Sequence, residues 1–133
     1  MAVRDPTKSS GPERIGEAEL SVMETLWAAE TPLTAADVAG RLNPSRGWSE
    51  STIKTMLSRL VAKGVLAHTA DGRRYLYHPL VARQHYAAGE SRRLVDRLFG
   101  GKAAPLVAHL AQGDGLTQDD IAELEALLAT LRS

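Results

Sequence analysis

Ser49-Glu50-Ser51-Thr52-Ile53-Lys54-Thr55-Met56-Leu57-Ser58-Arg59-Leu60-Val61-Ala62-Lys63-Gly64 is the stretch from which the rest of the chain can be read. At about 100° per residue, Ile53, Met56, Leu57 and Leu60 fall on one stripe, which predicts an amphipathic helix with those four residues facing a core. Ser49 suits the N-cap and Gly64 a left-handed terminating position. The opposite face carries Ser51, Thr55, Ser58 and Ala62, edged by Lys54 and Arg59. A solvated face ordinarily mixes Glu with Lys, but this one has no acid after Glu50. Short side chains let a helix backbone sit deep in a groove, hydroxyls bond phosphates or base edges, and the two cations reach flanking phosphates. The pattern is that of a DNA recognition helix. The plainer alternative is a surface helix that happens to lack acids.

Composition sets the frame for that helix. A chain of 133 residues fits one domain, or a small domain with an appendage. With one Phe, two Trp and three Tyr, its core must be mainly aliphatic. The absence of Cys excludes a disulfide framework and any thiolate metal site. No apolar run approaches the roughly 18 residues of a membrane span, and the polar segment Met1 to Pro12 has no signal-peptide core, so a soluble cytoplasmic protein without membrane insertion is expected.

The formal net charge of zero conceals an uneven distribution. Met1 to Gly40 holds three bases and seven acids, and Gln84 to Ser133 five bases and seven acids. Between them, Arg41 to Arg83 holds eight bases (Arg41, Arg46, Lys54, Arg59, Lys63, Arg73, Arg74, Arg83) and two acids. That surplus of six coincides with the candidate recognition helix and the twenty or so residues after it, the electrostatic footprint of a small DNA-binding module.

Around the recognition helix the remaining elements are ordered as a winged helix requires. Residues 1–12, rich in Pro, Ser, Lys and Gly, are expected to form a disordered arm, in which Arg4 and Lys8 could brush a phosphate backbone. Glu17 to Glu30 predicts a first helix with Leu20, Met23 and Trp27 on its core stripe and Val22 and Leu26 widening it. Pro32 breaks it, leaving Thr31 to Leu33 extended. Thr34-Ala35-Ala36-Asp37 has the form of a capping box and opens a short helix carrying Val38 and Leu42, which the turn-forming Asn43-Pro44-Ser45-Arg46-Gly47 should end. Trp48 precedes the Ser49 cap, where it would staple the recognition helix to the core. After Gly64 the period falls to 2: Val65 to Ala70 and Arg73 to His78 predict two strands around an Asp71-Gly72 turn. Arg73 and Arg74, just past the tip, are placed to reach a phosphate or the minor groove, while Tyr75 and Tyr77 suit packing against the helices.

The second half predicts three helices. Leu80 to Phe99 gathers Leu94, Val95, Leu98 and Phe99 near its end, and Gly100-Gly101 stops it. Pro105 opens a helix bearing Leu106, Val107 and Leu110, which would form a buried stripe. After the Gly113-Asp114-Gly115 turn, Thr117-Gln118-Asp119-Asp120 caps a last helix whose Ile121, Leu124, Leu127, Leu128 and Leu131 make a long leucine face. About 50 residues are marginal for an independent core. A homodimer interface through Leu94, Leu98, Phe99, Leu106, Val107, Leu110, Ile121, Leu124, Leu127, Leu128 and Leu131 would cover that surface; folding back on the wing is the intramolecular alternative.

The expected fold is thus mainly α with a small β-hairpin wing, a winged helix-turn-helix followed by a C-terminal helical dimerisation segment. Its domains are the arm 1–12, a DNA-binding domain 13–80 and a dimerisation region 81–133. Candidate DNA contacts are Arg46, Ser49, Ser51, Thr52, Lys54, Thr55, Ser58, Arg59, Arg73 and Arg74. The partners expected are double-stranded operator DNA and a second copy of the chain, in the role of a sequence-specific repressor on a palindromic operator. A winged helix serving only as a protein-interaction module is the alternative, but it would not require acid depletion over this one segment. The histidines at 68, 78, 85 and 109 have no metal-ligand spacing, and no phosphate loop or nucleophile motif is present. No catalytic residue, metal site or cofactor is expected, and the chain is not read as an enzyme.

These residues also carry a family resemblance. Trp48 to Leu66, the earlier Ala18-Glu19-Leu20-Ser21-Val22-Met23-Glu24-Thr25-Leu26-Trp27 and the wing Gly72-Arg73-Arg74-Tyr75-Leu76-Tyr77-His78-Pro79 resemble the BlaI/MecI/CopY penicillinase-repressor family, over about Ile15 to Leu131. The resemblance implies a winged-helix repressor that dimerises through its C-terminal helices. The copper-responsive branch carries a C-terminal Cys cluster that this chain lacks. The penicillinase branch implies relief of repression by cleavage near an Asn-Phe pair, driven by a membrane-bound sensor-protease. The matching segment here is Leu106 to Ala111, with His109-Leu110 standing where that pair would be. Cleavage there would require local opening, for which Gly100-Gly101 and Gly113-Asp114-Gly115 supply flexible ends.

Overall fold

The computed structural model describes residues 14–133, so the expected disordered arm lies outside the described residues. Among the described residues, six helices and a hairpin are arranged in order: α1 (Glu17–Ala28), α2 (Ala35–Arg46), α3 (Glu50–Ala62), β1 (Leu66–Asp71), β2 (Arg74–Pro79), α4 (Arg83–Phe99), α5 (Ala103–Ala111) and α6 (Gln118–Arg132). The described residues divide within α4 into two compact units, one ending at Tyr86 and the other spanning Ala87–Ser133. The mainly helical fold with a two-stranded antiparallel wing is the one the sequence predicts.

In the first unit, α1, α2 and α3 enclose a core of Val22, Met23, Leu26, Val38, Leu42, Ile53, Met56, Leu57 and Leu60, closed by Leu33, Val65, Leu66 and Tyr77. Each fully buried aliphatic side chain contributes roughly 1.5–3 kcal/mol. Val22 and Leu26, read as flanking residues, join Met23 at the centre of the α1 stripe, whereas Leu20 and Trp27 are only half-buried. The Trp27 indole N–H instead donates to the Val81 carbonyl (2.9 Å), and its ring lies 5.8 Å from that of Tyr86.

Several boundaries differ from expectation for local reasons. Helix α1 stops at Ala28, because Ala29 is already extended on the approach to Pro32. Helix α2 does not end at Asn43 but runs through Pro44 to Arg46, with Gly47 (φ 67°) donating back to the Asn43 carbonyl at 3.1 Å. A proline in a last turn forfeits one amide donor without blocking the residues after it. The wing pairs Asp71 with Arg74, so the two-residue loop is Gly72-Arg73, one residue beyond the Asp-Gly reading. Gly72 has φ 65°, and no described non-glycine residue has positive φ. Gly at the first loop position followed by a negative φ is the order a type II′ turn needs, whereas Asp-Gly would have made type I′. Leu33 forms an isolated bridge to Tyr77, exchanging backbone bonds of 3.0 and 2.7 Å, and so ties the α1–α2 connection to the wing. Helix α4 begins only at Arg83, since the Leu80 amide donates to the Val65 carbonyl (2.9 Å) and the Val81 carbonyl accepts from Trp27.

The second unit is built differently. Gly100 (φ 60°) and Gly101 (φ 86°) end α4, and Thr117 caps α6 by a reciprocal pair of 3.0 Å bonds with Asp120. Val95 is the one buried residue of its described helices. The expected buried stripe on α5 is not buried within the chain. Leu106 is half-buried, Val107 and Leu110 are exposed, and Leu98, Ile121, Leu127, Leu128 and Leu131 are exposed with them. The stripe is apolar, but these three short helices leave it uncovered.

Candidate nucleic-acid interface

The roll of α3 is set by its buried face: Ile53, Leu57 and Leu60 are inaccessible to solvent and Met56 nearly so. Ser51, Thr52, Lys54, Thr55, Ser58 and Arg59 are thereby turned outward. The pitch of its entry is fixed at the other end. The Ser49 hydroxyl accepts from the Thr52 amide (3.1 Å) and donates to the Thr52 hydroxyl (3.1 Å), while half-buried Trp48 packs against the core. Arg46 lies over the Trp48 ring at 5.2 Å and donates to the Ser21 hydroxyl at 2.7 Å. Of the candidate contacts, Arg46 and Ser49 are therefore engaged in shaping the entry to α3.

At its far end α3 is tied to α1. Lys63 donates to Glu19 at 2.6 Å, and the same carboxylate oxygen accepts from the Gly16 amide at 2.9 Å. Burial pushes the Glu19 carboxyl up, but the Lys63 hydrogen bond, the Gly16 amide and the charges of Lys63 and Arg59 outweigh it and hold its pKa below the ordinary value. Hydrogen bonding from Arg83 (2.8 and 3.0 Å) likewise holds the Glu24 carboxyl low, outweighing the opposing effect of burial, with the Arg83 charge adding to it. Lys63 and Arg83 are thus matched by acids outside the basic block, and its surplus falls from six charges to four.

Three of the remaining cations, Lys54, Arg73 and Arg74, gather where α3 meets the wing. Lys54 and Ser58 of α3, Arg73 and Arg74 of the wing, and Thr34 at the start of α2 line an open cleft of about 420 Å³ whose walls include Tyr75 and Tyr77. Lys54 is held by Glu50 (3.5 Å) and Arg74 by Asp71 (3.1 Å), both in exposed pairs that a stronger anion can displace at little cost. Tyr77 is buried, as expected for packing; Tyr75 is 49% exposed and makes an edge contact with His68 (4.4 Å). Thr34, Tyr75 and Tyr77 join the cleft without a local sequence signal, because the wing pairing and the Leu33 bridge bring them beside Lys54.

The eleven apolar residues assigned to dimerisation fall in the second unit. Leu94, Phe99, Leu106 and Leu124 are half-buried and the others exposed. Val107, Leu110, Leu116, Leu124 and Leu127 line a groove between α5 and α6, with Asp120 and Glu123 also on its wall. Of the candidate cleavage pair, both residues are exposed within α5, and His109 lies 5.5 Å from the Phe99 ring. None of the described helices is long and apolar enough to cross a membrane.

Comparison with known proteins agrees with this arrangement. The chain is 32% identical over 115 residues to the penicillinase repressor of Bacillus licheniformis, covering 86% of this chain and 89% of that protein. It is 32% identical over 123 residues to the transcriptional regulator BlaI of Mycobacterium tuberculosis, covering 85% of this chain and 86% of that one. The solution structure of the DNA-binding domain of the repressor BlaI is 36% identical and matches with a TM-score of 0.51, over 57% of this chain and 92% of that domain. The family described as penicillinase repressor matches residues 15–130, and with that match spanning nearly its whole length the chain belongs to the penicillinase repressor family.

Proposed function

We propose that this chain is a sequence-specific transcriptional repressor that binds double-stranded operator DNA as a homodimer. The observation that carries the reading is the outward face of α3: short hydroxylic side chains in the middle, cations at the edges, and the wing arginines beside it. Phosphate contacts by Lys54, Arg59, Arg73 and Arg74 position the helix, and the hydroxyl face reads bases in the major groove. The names of the relatives, repressors and a DNA-binding domain, support the same reading. In this role the protein works in the cytoplasm, without a cofactor and without a catalytic residue.

Dimerisation is inferred from the apolar surface of α4, α5 and α6, which a second copy would cover about a two-fold axis. Two recognition helices so related read half-sites about 10 bp apart or a multiple of it. Release by a membrane-bound sensor-protease belongs to the same reading. A cut at His109-Leu110 would separate the winged helix from α6, and affinity would fall because the half-sites no longer bind as one unit.

The test is fluorescence anisotropy on duplexes that the protein itself selects from a random-core pool. The selected duplex should bind at least a hundredfold more tightly than a scrambled one, with affinity falling steeply as salt rises. Equal binding to both would overturn sequence-specific repression.

A further inference from the structure

We infer that Thr55 reads a thymine·adenine pair, its methyl group resting against the thymine C5 methyl. The inference rests on the proposed DNA-binding function and takes it to the identity of one base pair. Helical spacing puts Thr55 near the middle of the exposed face, with Ser51 and Ser58 beside it and Lys54 and Arg59 toward the margins. The long side chains stand to either side of it, and Lys54 reaches away toward Glu50 at 3.5 Å. Nothing longer than a threonine therefore holds the middle of the helix away from a groove floor.

What Thr55 can recognise is limited by its own hydrogen bond. Its hydroxyl donates to the Ser51 carbonyl one turn back, at 3.2 Å. While that bond is kept the single hydroxyl proton is committed, so the oxygen accepts and the methyl group is the apolar surface offered to a groove. In the major groove guanine presents two acceptors, which an accepting hydroxyl cannot satisfy; cytosine presents a donor but no methyl; thymine·adenine presents the adenine N6 donor together with the thymine methyl. One base pair answers both groups on Thr55. Thr52 differs, since its hydroxyl accepts from Ser49 and keeps its own proton to give. That side chain suits a phosphate or another acceptor and does not share the preference.

The test uses the duplex selected from a random-core pool, with each thymine replaced in turn by deoxyuridine, which removes only the C5 methyl. Wild-type protein should lose about fourfold in affinity at one position of each half-site, the worth of roughly one buried methyl-sized group. Thr55→Ser, which keeps the hydroxyl and removes the methyl, should bind thymine and deoxyuridine alike at that position; Thr55→Val, which keeps the methyl, should still distinguish them. Because Thr55 is exposed, unchanged thermal melting of both variants serves as the folding control. Tight specific binding that is indifferent to every deoxyuridine, or full discrimination retained by Thr55→Ser, overturns the inference alone. Failure of the pool to yield any preferred duplex overturns the DNA-reading function and this inference with it.

Discussion

Replacing Lys63 by methionine should cost about 2 kcal/mol at neutral pH, and the cost should disappear in acid. Lys63 and Glu19 join the end of α3 to the start of α1 through a 2.6 Å bond, with 25% and 8% of their side chains exposed. Removing one member of a fully buried pair costs roughly 3–5 kcal/mol, because the other charge is left uncompensated. Glu19 would keep the Gly16 amide and the field of Arg59, and the Lys63 site is partly wet, so about 2 kcal/mol is expected. For a domain of this size that corresponds to a fall of roughly 8–16 °C in Tm. The sign with pH is set by the carboxylate. In the wild type the folded pKa of Glu19 is depressed, so its contribution is complete above the ordinary glutamate value near 4.3 and is lost as pH falls through the lower folded value. In Lys63→Met, burial is opposed only by the Gly16 amide and the Arg59 charge, so the folded pKa rises above that of the wild type and protonation relieves the penalty. The gap between the two proteins should therefore narrow as pH falls from about 7 to about 4. Glu19→Gln added to Lys63→Met should recover most of the loss. Thermal denaturation followed by circular dichroism, at fixed protein concentration, gives both quantities. An equal gap at both pH values, or no recovery in the double variant, would refute the view that a stranded carboxylate is the cause.

Three further outcomes are expected. Lys54→Ala should weaken binding to selected and scrambled duplexes together and reduce the salt slope by about one unit, as a lost phosphate contact does; a loss confined to the selected duplex would make Lys54 a base reader. Leu128→Asp places a charge on a surface that is 51% exposed in a single chain, so the first unit should melt unchanged while sedimentation shows monomers; a variant that stays dimeric would remove α6 from the interface. Gly115→Ala should disrupt the second unit, because its Cβ would fall on the Leu110 carbonyl, which as backbone cannot rotate away. A Gly115→Ala protein with wild-type sedimentation and melting would show that the α5–α6 turn is not held in this close approach.

Legibility of the chain depended on the range of the interactions. Ser49, Thr34 and Thr117 could be read as caps because each acts on an amide three residues away. The α3 stripe could be read because four aliphatic residues at helical spacing admit one roll. Pairings across the fold could not. Lys63 counts toward a positive footprint until its partner 44 residues earlier is in place, and the hold of Ser21 and Trp48 on Arg46 has no local signal. The wing loop stands one residue later than the sequence suggests because Asp71-Gly72 and Gly72-Arg73 are both good turn pairs. Which one forms is settled by Tyr77, which pairs with His68 on one side and Leu33 on the other. The apolar stripe of α5 reads the same whether its cover comes from this chain or from another, so the sequence suggested burial where a single chain leaves exposure.

Footprinting on a selected duplex tests the central claim most directly, since it reports groove, spacing and symmetry together. Two patches of major-groove protection are expected, related by a two-fold axis and centred about 10 bp or a multiple of it apart, and both should be lost together in Leu128→Asp. A single asymmetric patch unaffected by Leu128→Asp, or no defined patch at a concentration that saturates the duplex, would contradict a dimeric repressor reading DNA through α3.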